Sequence, residues 1–193
     1  MNVLIATNNE HKVVEFKRAF ETLNINVYSL KDINLSIDVE ETGTTFKENA
    51  LLKAQAVANL TDMVVIADDS GLEIASLGGF PGIYSARFME GHPYREKFIV
   101  IFDKLKNIKD RTANFNCTLC VMNLKEEPLF FVGKAYGLIL ENFQGENGFG
   151  YDPIFYYPPL KKTFAEMTQD EKNSVSHRGN AIKLLVSYLK ENL

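Results

Sequence analysis

Two adjacent pairs of carboxylates, Glu40-Glu41 and Asp68-Asp69, are the residues whose types and spacing point most directly to chemistry. The continuous apolar run Met63 to Ala67 precedes Asp68, so the second pair is expected at the end of a buried strand. Hard carboxylate oxygens there suit Mg²⁺, which keeps several waters and shares its remaining positions with substrate phosphates. Neighbouring carboxylates repel each other, and an opposing cation relieves that repulsion. The same groups can serve as a general base for water. The structural alternative is a pair of turn-forming aspartates ahead of Ser70-Gly71.

Three further segments have the right composition for a phosphorylated ligand. Thr7-Asn8-Asn9-Glu10-His11-Lys12 lies between a short apolar run and a helical pattern. A hydroxyl, two amides and free backbone N–H groups at a helix N-terminus cradle an anion, and Lys12 adds a compact positive charge. The bland alternative is an N-cap on a surface helix. In Gly145-Glu146-Asn147-Gly148-Phe149-Gly150-Tyr151-Asp152-Pro153, glycines permit close backbone approach and an aromatic ring held among them can stack on a base. A hairpin turn with a core aromatic would have the same composition. Lys172, Ser176, His177 and Arg178 form the third segment. Adjacent Ser176 and His177 cannot easily bring the imidazole onto the serine hydroxyl, and no nucleophile elbow accompanies them, so His177 and Arg178 read as hydrogen-bond donors.

The elements that must position these residues follow from periodicity. A short strand over Val3 to Thr7 precedes a helix from about His11 to Leu23, and Thr45-Phe46-Lys47-Glu48 predicts a capping box opening a helix from Phe46 to Leu60. The polar face of that helix carries Lys47, Asn49 and Lys53. Tyr94 to Lys106 is helical in pattern; Arg111 to Met122 and Leu129 to Leu140 alternate as two long antiparallel strands; Ile154 to Tyr157 is a short strand. An amphipathic helix starts at about Gly179. The order predicts a mixed α/β protein, with a curved sheet of long strands and flanking helices.

With 193 residues the chain is expected to form a single domain spanning 1–193. At 46% hydrophobic and 24% charged it has globular composition, and it contains no apolar run of the ~20 residues a membrane span needs. The N-terminus lacks a secretory pattern, from which a cytoplasmic location is expected. A net charge of −4 gives no footprint for a nucleic acid polymer. Cys117 and Cys120 share the spacing of a redox or zinc pair, but they fall on an alternating strand, which sends their sulfurs to opposite faces and predicts structural thiols.

The residues resemble the inosine triphosphate pyrophosphatase family. The resemblance rests on Ala6 to Lys12; on Glu40-Glu41-Thr42-Gly43 with Thr45-Phe46 and Glu48-Asn49-Ala50; and on Ala67 to Leu72 followed by Leu77 to Arg87. Gly148 to Pro153 and Glu171-Lys172-Asn173 with Ser176-His177-Arg178 complete it in order, over nearly the whole chain. It implies an elongated mixed sheet with two lobes around a nucleotide cleft, a homodimer, and hydrolysis of ITP, dITP and XTP to monophosphate and pyrophosphate with Mg²⁺. It implies that Thr7, Asn8, Asn9, Glu10, His11 and Lys12, with Lys53, hold the triphosphate. Glu40 and Asp69 are implied to engage Mg²⁺, with Asp68 adjacent, and Asp69 to activate water. Ser70 would touch substrate, Phe149, Gly150, Tyr151 and Asp152 would embrace the base, and Lys172, His177 and Arg178 would contact base and phosphate; Arg87 belongs to the same group.

Asn8 and Asn147 stand where that family usually has glycine, and Asn is the residue that best tolerates the left-handed conformation a glycine supplies. Glu146 adds a negative charge near the expected nucleotide. Two other readings are a related pyrophosphatase for modified pyrimidine nucleotides, which lacks the Phe149 to Asp152 loop and the His177-Arg178 ending, and a module that senses nucleotides without cutting them.

Overall fold

The computed structural model describes residues 1–21 and 23–192. Seven strands are hydrogen-bonded in the order β2-β1-β3-β4-β5-β6-β7 among the described residues. They are β1 (Asn2–Ile5), β2 (Asn26–Ser29), β3 (Val64–Ile74), β4 (Thr112–Met122), β5 (Leu129–Ile139), β6 (Phe155–Tyr157) and β7 (Lys162–Thr163). The helices are α1 (Glu10–Phe20), α2 (Phe46–Ala58), α3 (Tyr94–Lys104), α4 (Gln169–Val175) and α5 (His177–Asn192). β1 pairs in parallel with β2 and β3, whereas β5-β6 and β6-β7 are antiparallel, so the sheet is mixed as expected.

The chain forms two compact units. The first comprises residues 1–69, 117–133 and those from 178 onward. Its strand residues alternate between two apolar clusters, as the two-residue period of a strand requires. Val3, Ile5, Val64 and Ile66 pack with Phe16 and Phe20 of α1 and Ile182 and Leu185 of α5. Leu4, Val65 and Ala67 pack instead with Ala50, Ala54 and Val57 of α2. Cys117 joins one cluster and Cys120 the other; both thiols are free and buried, as the alternation predicted. The second unit comprises residues 70–116 and 134–177. Its single cluster combines Leu72 and Ile74 of β3, Phe98 and Ile101 of α3, Phe115 of β4, and Tyr151, Phe155 and Phe164.

Several predicted boundaries shift. The capping box at Thr45 is present in full, with Glu48 N–H donating to Thr45 Oγ1 at 3.1 Å and Thr45 N–H donating to Glu48 Oε2 at 3.1 Å. The first helix ends at Phe20, short of the expected Leu23; Thr22 lies outside the described residues. β2, too short and polar to stand out, was not anticipated. The largest difference is β3: it continues to Ile74, so Asp68-Asp69 lies within a strand and is neither its end nor a turn.

Candidate functional site

Because consecutive strand side chains point to opposite faces, Asp68 and Asp69 serve different partners. Asp68 Oδ1 accepts from Lys12 Nζ at 2.7 Å, and Asp68 Oδ2 accepts from Arg178 Nε at 3.0 Å. Arg178, from the start of α5, also donates to Glu15 of α1 at 2.6 Å. The guanidinium and the Asp68 carboxyl are 2% and 1% exposed, so this is a buried charge network that links α1, β3 and α5 within the first unit. Burial alone would raise the Asp68 pKa, but Lys12, Arg178 and Lys53 outweigh it and hold the carboxyl well below the usual range. For Arg178 burial favours the neutral form, and Asp68 and Glu15 more than reverse this.

On the other face, Lys53 of α2 donates to Asp69 Oδ1 and to Glu41 Oε1, both at 2.7 Å. Asn49, one turn earlier on α2, donates to Asp69 Oδ2 at 3.4 Å and accepts from Gly43 N–H at 2.8 Å. The strap carrying Glu40-Glu41 thereby docks on the helix, and a Cβ at Gly43 would lie 2.6 Å from Asn49 Oδ1, so the glycine permits the approach. Burial raises the Asp69 pKa to about 6; Lys53 opposes the rise and Glu41 adds to it. Lys53 in turn is raised, its own burial being overcome by Asp69, Asp68 and Glu41.

Two carboxylate oxygens that already converge on one positive charge are a donor set that fits a hard cation. No group of three or more His, Cys, Asp or Glu among the described residues could hold a metal ion. Mg²⁺ takes one or two carboxylates and completes its shell with water and phosphate, a demand that two such oxygens can meet. Glu40, the member of its pair implied by the resemblance, is exposed. Glu41 is the one joined through Lys53 to Asp69.

At the β1–α1 junction the N-cap reading of the sequence holds. Asn9 is the N-cap of α1 and accepts from His11 N–H at 3.0 Å, while Thr7 Oγ1 accepts from Asn9 N–H at 3.2 Å. Asn8 donates to Ile37 C=O at 3.1 Å. Glu10 pairs at the surface with Lys31 at 3.2 Å, and His11 is exposed. Lys12 of this segment reaches the carboxylate network.

In the second unit, the 145–153 segment is folded by three glycines at positive φ: Gly145, Gly148 and Gly150. Neither Asn147 nor Asn8 takes a positive φ, so the expected left-handed role of these asparagines does not arise. Asn147 instead ties the loop down, with Nδ2 donating to Met167 C=O at 3.2 Å. Asp152 Oδ2 accepts from Phe149 N–H at 2.8 Å and from Lys172 Nζ at 2.6 Å, and the same ammonium lies 4.5 Å from the Phe149 ring centroid. Tyr151, expected at the ligand, is buried in the core with its hydroxyl donating to Ser85 C=O at 2.9 Å. His177 stacks on Phe115 at 4.6 Å. Ser70 is half-buried, Ser176 buried, and Arg87 lies with its guanidinium 5.0 Å from the Tyr84 ring centroid. Glu15 is the member that sequence reasoning left out, its place next to Phe16 carrying no signal; Glu41 and Asn49 were singled out in the sequence, but not as the partners gathered around Lys53 and Asp69.

A mixed α/β fold with carboxylates and lysines gathered on a central strand, and a glycine-rich aromatic loop beside a buried lysine, defines a class of protein built to handle a charged small molecule. The chain belongs to the Ham1 family, which it matches over residues 3–188. It is 47% identical to the dITP/XTP pyrophosphatase of Clostridium perfringens, with 97% of this chain and 96% of that protein covered. It is 46% identical to that of Staphylococcus epidermidis, over 98% and 96% of the two chains. Among solved structures, the Staphylococcus aureus Ham1 protein superposes with a TM-score of 0.90 at 42% identity over 100% of both chains. A Ham1 protein from Coxiella burnetii gives a TM-score of 0.90 at 37% identity over 99% of both.

Proposed function

We propose that the whole chain is one pyrophosphatase domain that hydrolyses deaminated purine nucleoside triphosphates, ITP, dITP and XTP, to the monophosphate and pyrophosphate. The observation that carries this reading is the placement of Asp69, joined through Lys53 to Glu41 on one face of β3. A carboxylate held there is suited to accept a proton from water. The names of the relatives supply the substrate class.

In the reaction, water attacks the α-phosphorus in line and Asp69 receives its proton. Lys12 and Lys53, with Thr7, Asn8, Asn9, Glu10 and His11 around the α1 N-terminus, bind the triphosphate and offset the charge that develops on the leaving pyrophosphate. Glu40 and Asp69 would hold Mg²⁺, with Glu41 and Asp68 adjacent, and the ion would supply positive charge to the phosphate oxygens. Phe149 and the Gly150 backbone contact the base, with Tyr151 and Asp152 fixing the loop and Lys172 and His177 contributing donors, while Arg178 holds Asp68 in place; Ser70 contacts substrate. Donors placed for the 6-carbonyl of hypoxanthine or xanthine would be left unpaired by adenine, a mismatch able to discriminate by ~10⁴–10⁵.

A cytoplasmic homodimer acting on free nucleotides, and on no polymer or membrane, completes the proposal. Among the described residues no helix is long and apolar enough to cross a membrane. Tyr136 and Leu138, 68% and 36% exposed on one face of β5, offer a surface for the second copy; a monomer mass in sedimentation at micromolar protein would remove that part. The test of the function is a panel of nucleoside triphosphates with pyrophosphate detection, with and without a chelator. ITP, dITP and XTP are expected to be cut at least about a hundredfold faster than ATP, and only with Mg²⁺. Equal rates across the panel would overturn the reading.

A further inference from the structure

Against the 145–153 loop lies a pair of side chains, Tyr94 and Lys97, to which the proposed reaction gives no part. Tyr94 is the first residue of α3, after Pro93 at the N-cap. Its ring meets that of Tyr151 edge-on, with centroids 5.2 Å apart and planes at 89°. A Cβ built on Gly150 would lie 3.8 Å from Tyr94 Cε1, Cζ and the hydroxyl, so the ring is in van der Waals range of the loop backbone at its last positive-φ glycine. Lys97, one turn further along α3, is 3% exposed, an unusual position for a lysine. Its ammonium lies 4.5 Å from the Tyr94 ring centroid and 3.5 Å from Ala86 C=O. Tyr94 itself is 37% exposed, but its two inner contacts are to a buried lysine and a buried tyrosine, and edge-on aromatic pairs and cation–π contacts are both directional.

We propose that Tyr94, steadied by Lys97, is a positioning residue for the base-recognition loop: it holds Gly150 and Tyr151 from the α3 side, so that the loop presents one conformation to the nucleotide base. Tyr151 is already anchored to Ser85 through its hydroxyl, and Asp152 to Lys172. The ring of Tyr94 supplies the support that neither of those hydrogen bonds gives to the glycine between Phe149 and Tyr151. This inference rests on the loop's proposed role with the base, but the ordering of the loop does not.

The test has two readouts on the full-length protein. Hydrogen exchange at the amides of residues 148–152, without any nucleotide, reads loop order. KM and kcat for ITP read its use. Tyr94→Ala is expected to speed exchange in the loop while leaving β1 and α1 unchanged, and to raise KM about threefold to tenfold with kcat within about twofold. Tyr94→Phe, which keeps the ring, is expected to restore both to near the wild-type values. Should Tyr94→Ala fail to fold, Lys97→Met is read instead, with a smaller change in the same direction. Unchanged loop exchange in Tyr94→Ala or, in its absence, in Lys97→Met overturns the proposal, as does a fall in kcat and melting temperature at unchanged KM. If the wild-type protein leaves ITP intact, the proposed function fails while the exchange data still decide the role of Tyr94.

Discussion

At Asp69, burial raises the pKa to about 6 against the pull of Lys53, whereas one residue earlier Lys12 and Arg178 hold Asp68 firmly ionised despite deeper burial. The two carboxylates therefore differ in their electrostatic surroundings, and the proposed mechanism gives Asp69 the chemical task. Asp69→Asn preserves shape and removes the proton acceptor; kcat for ITP is expected to fall by at least about a hundredfold while the nucleotide still binds, and near-normal turnover would remove Asp69 from the mechanism. Arg178 poses a sharper question. Sequence reasoning made it a reader of the base, yet in the structure it is bonded to Asp68 and Glu15 and 2% exposed. Removing one partner from a buried charge network typically costs about 3–5 kcal/mol. Arg178→Ala is accordingly expected to lower the urea midpoint steeply; an unchanged midpoint with a loss of ITP-over-ATP preference would restore the base-reading role alone. Residue types and order made the participants legible, but not which carboxylate each cation would choose, since that depends on strand parity and on Glu15, whose place beside Phe16 looks like an ordinary helix face.

Among the elements, α2 was the most legible, because its cap is a local device written in four consecutive residues, Thr45 to Glu48. β3 was misread for a physical reason. A strand normally ends where charges begin, but the charges of Asp68 and Asp69 are met on opposite faces by Lys12, Arg178 and Lys53, and the ladder continues to Ile74. Those partners come from distant segments and leave no mark near the strand. The 145–153 loop was legible as glycine-rich, though not in its internal wiring, where Tyr151 turns into the core. Gly148 adopts φ +73, and a Cβ there would collide with Asp152 Oδ2, the atom that Phe149 N–H and Lys172 share. A non-glycine residue in the left-handed region costs about 1–2 kcal/mol. Gly148→Ala is thus expected to raise KM for ITP on the order of tenfold with a smaller change in kcat; an unaltered KM would show that the loop does not set substrate affinity.

For the molecule as a whole, the fold class was legible because apolar periodicity alone separates long strands from capped helices, and family membership because the motifs recur in order along nearly the full chain. The pairing order of the sheet was not legible, since β2 and β7 are short and their neighbours are set by tertiary packing. The central claim is about which bond the assembled residues break: with Asp69 and Lys53 acting at the α-phosphate, water must attack there and pyrophosphate must leave. A single turnover of ITP in ¹⁸O-labelled water tests this directly. The account predicts IMP and pyrophosphate in equal amounts, with the label on IMP and none in pyrophosphate. Label in the pyrophosphate, or IDP and orthophosphate as first products, would contradict it.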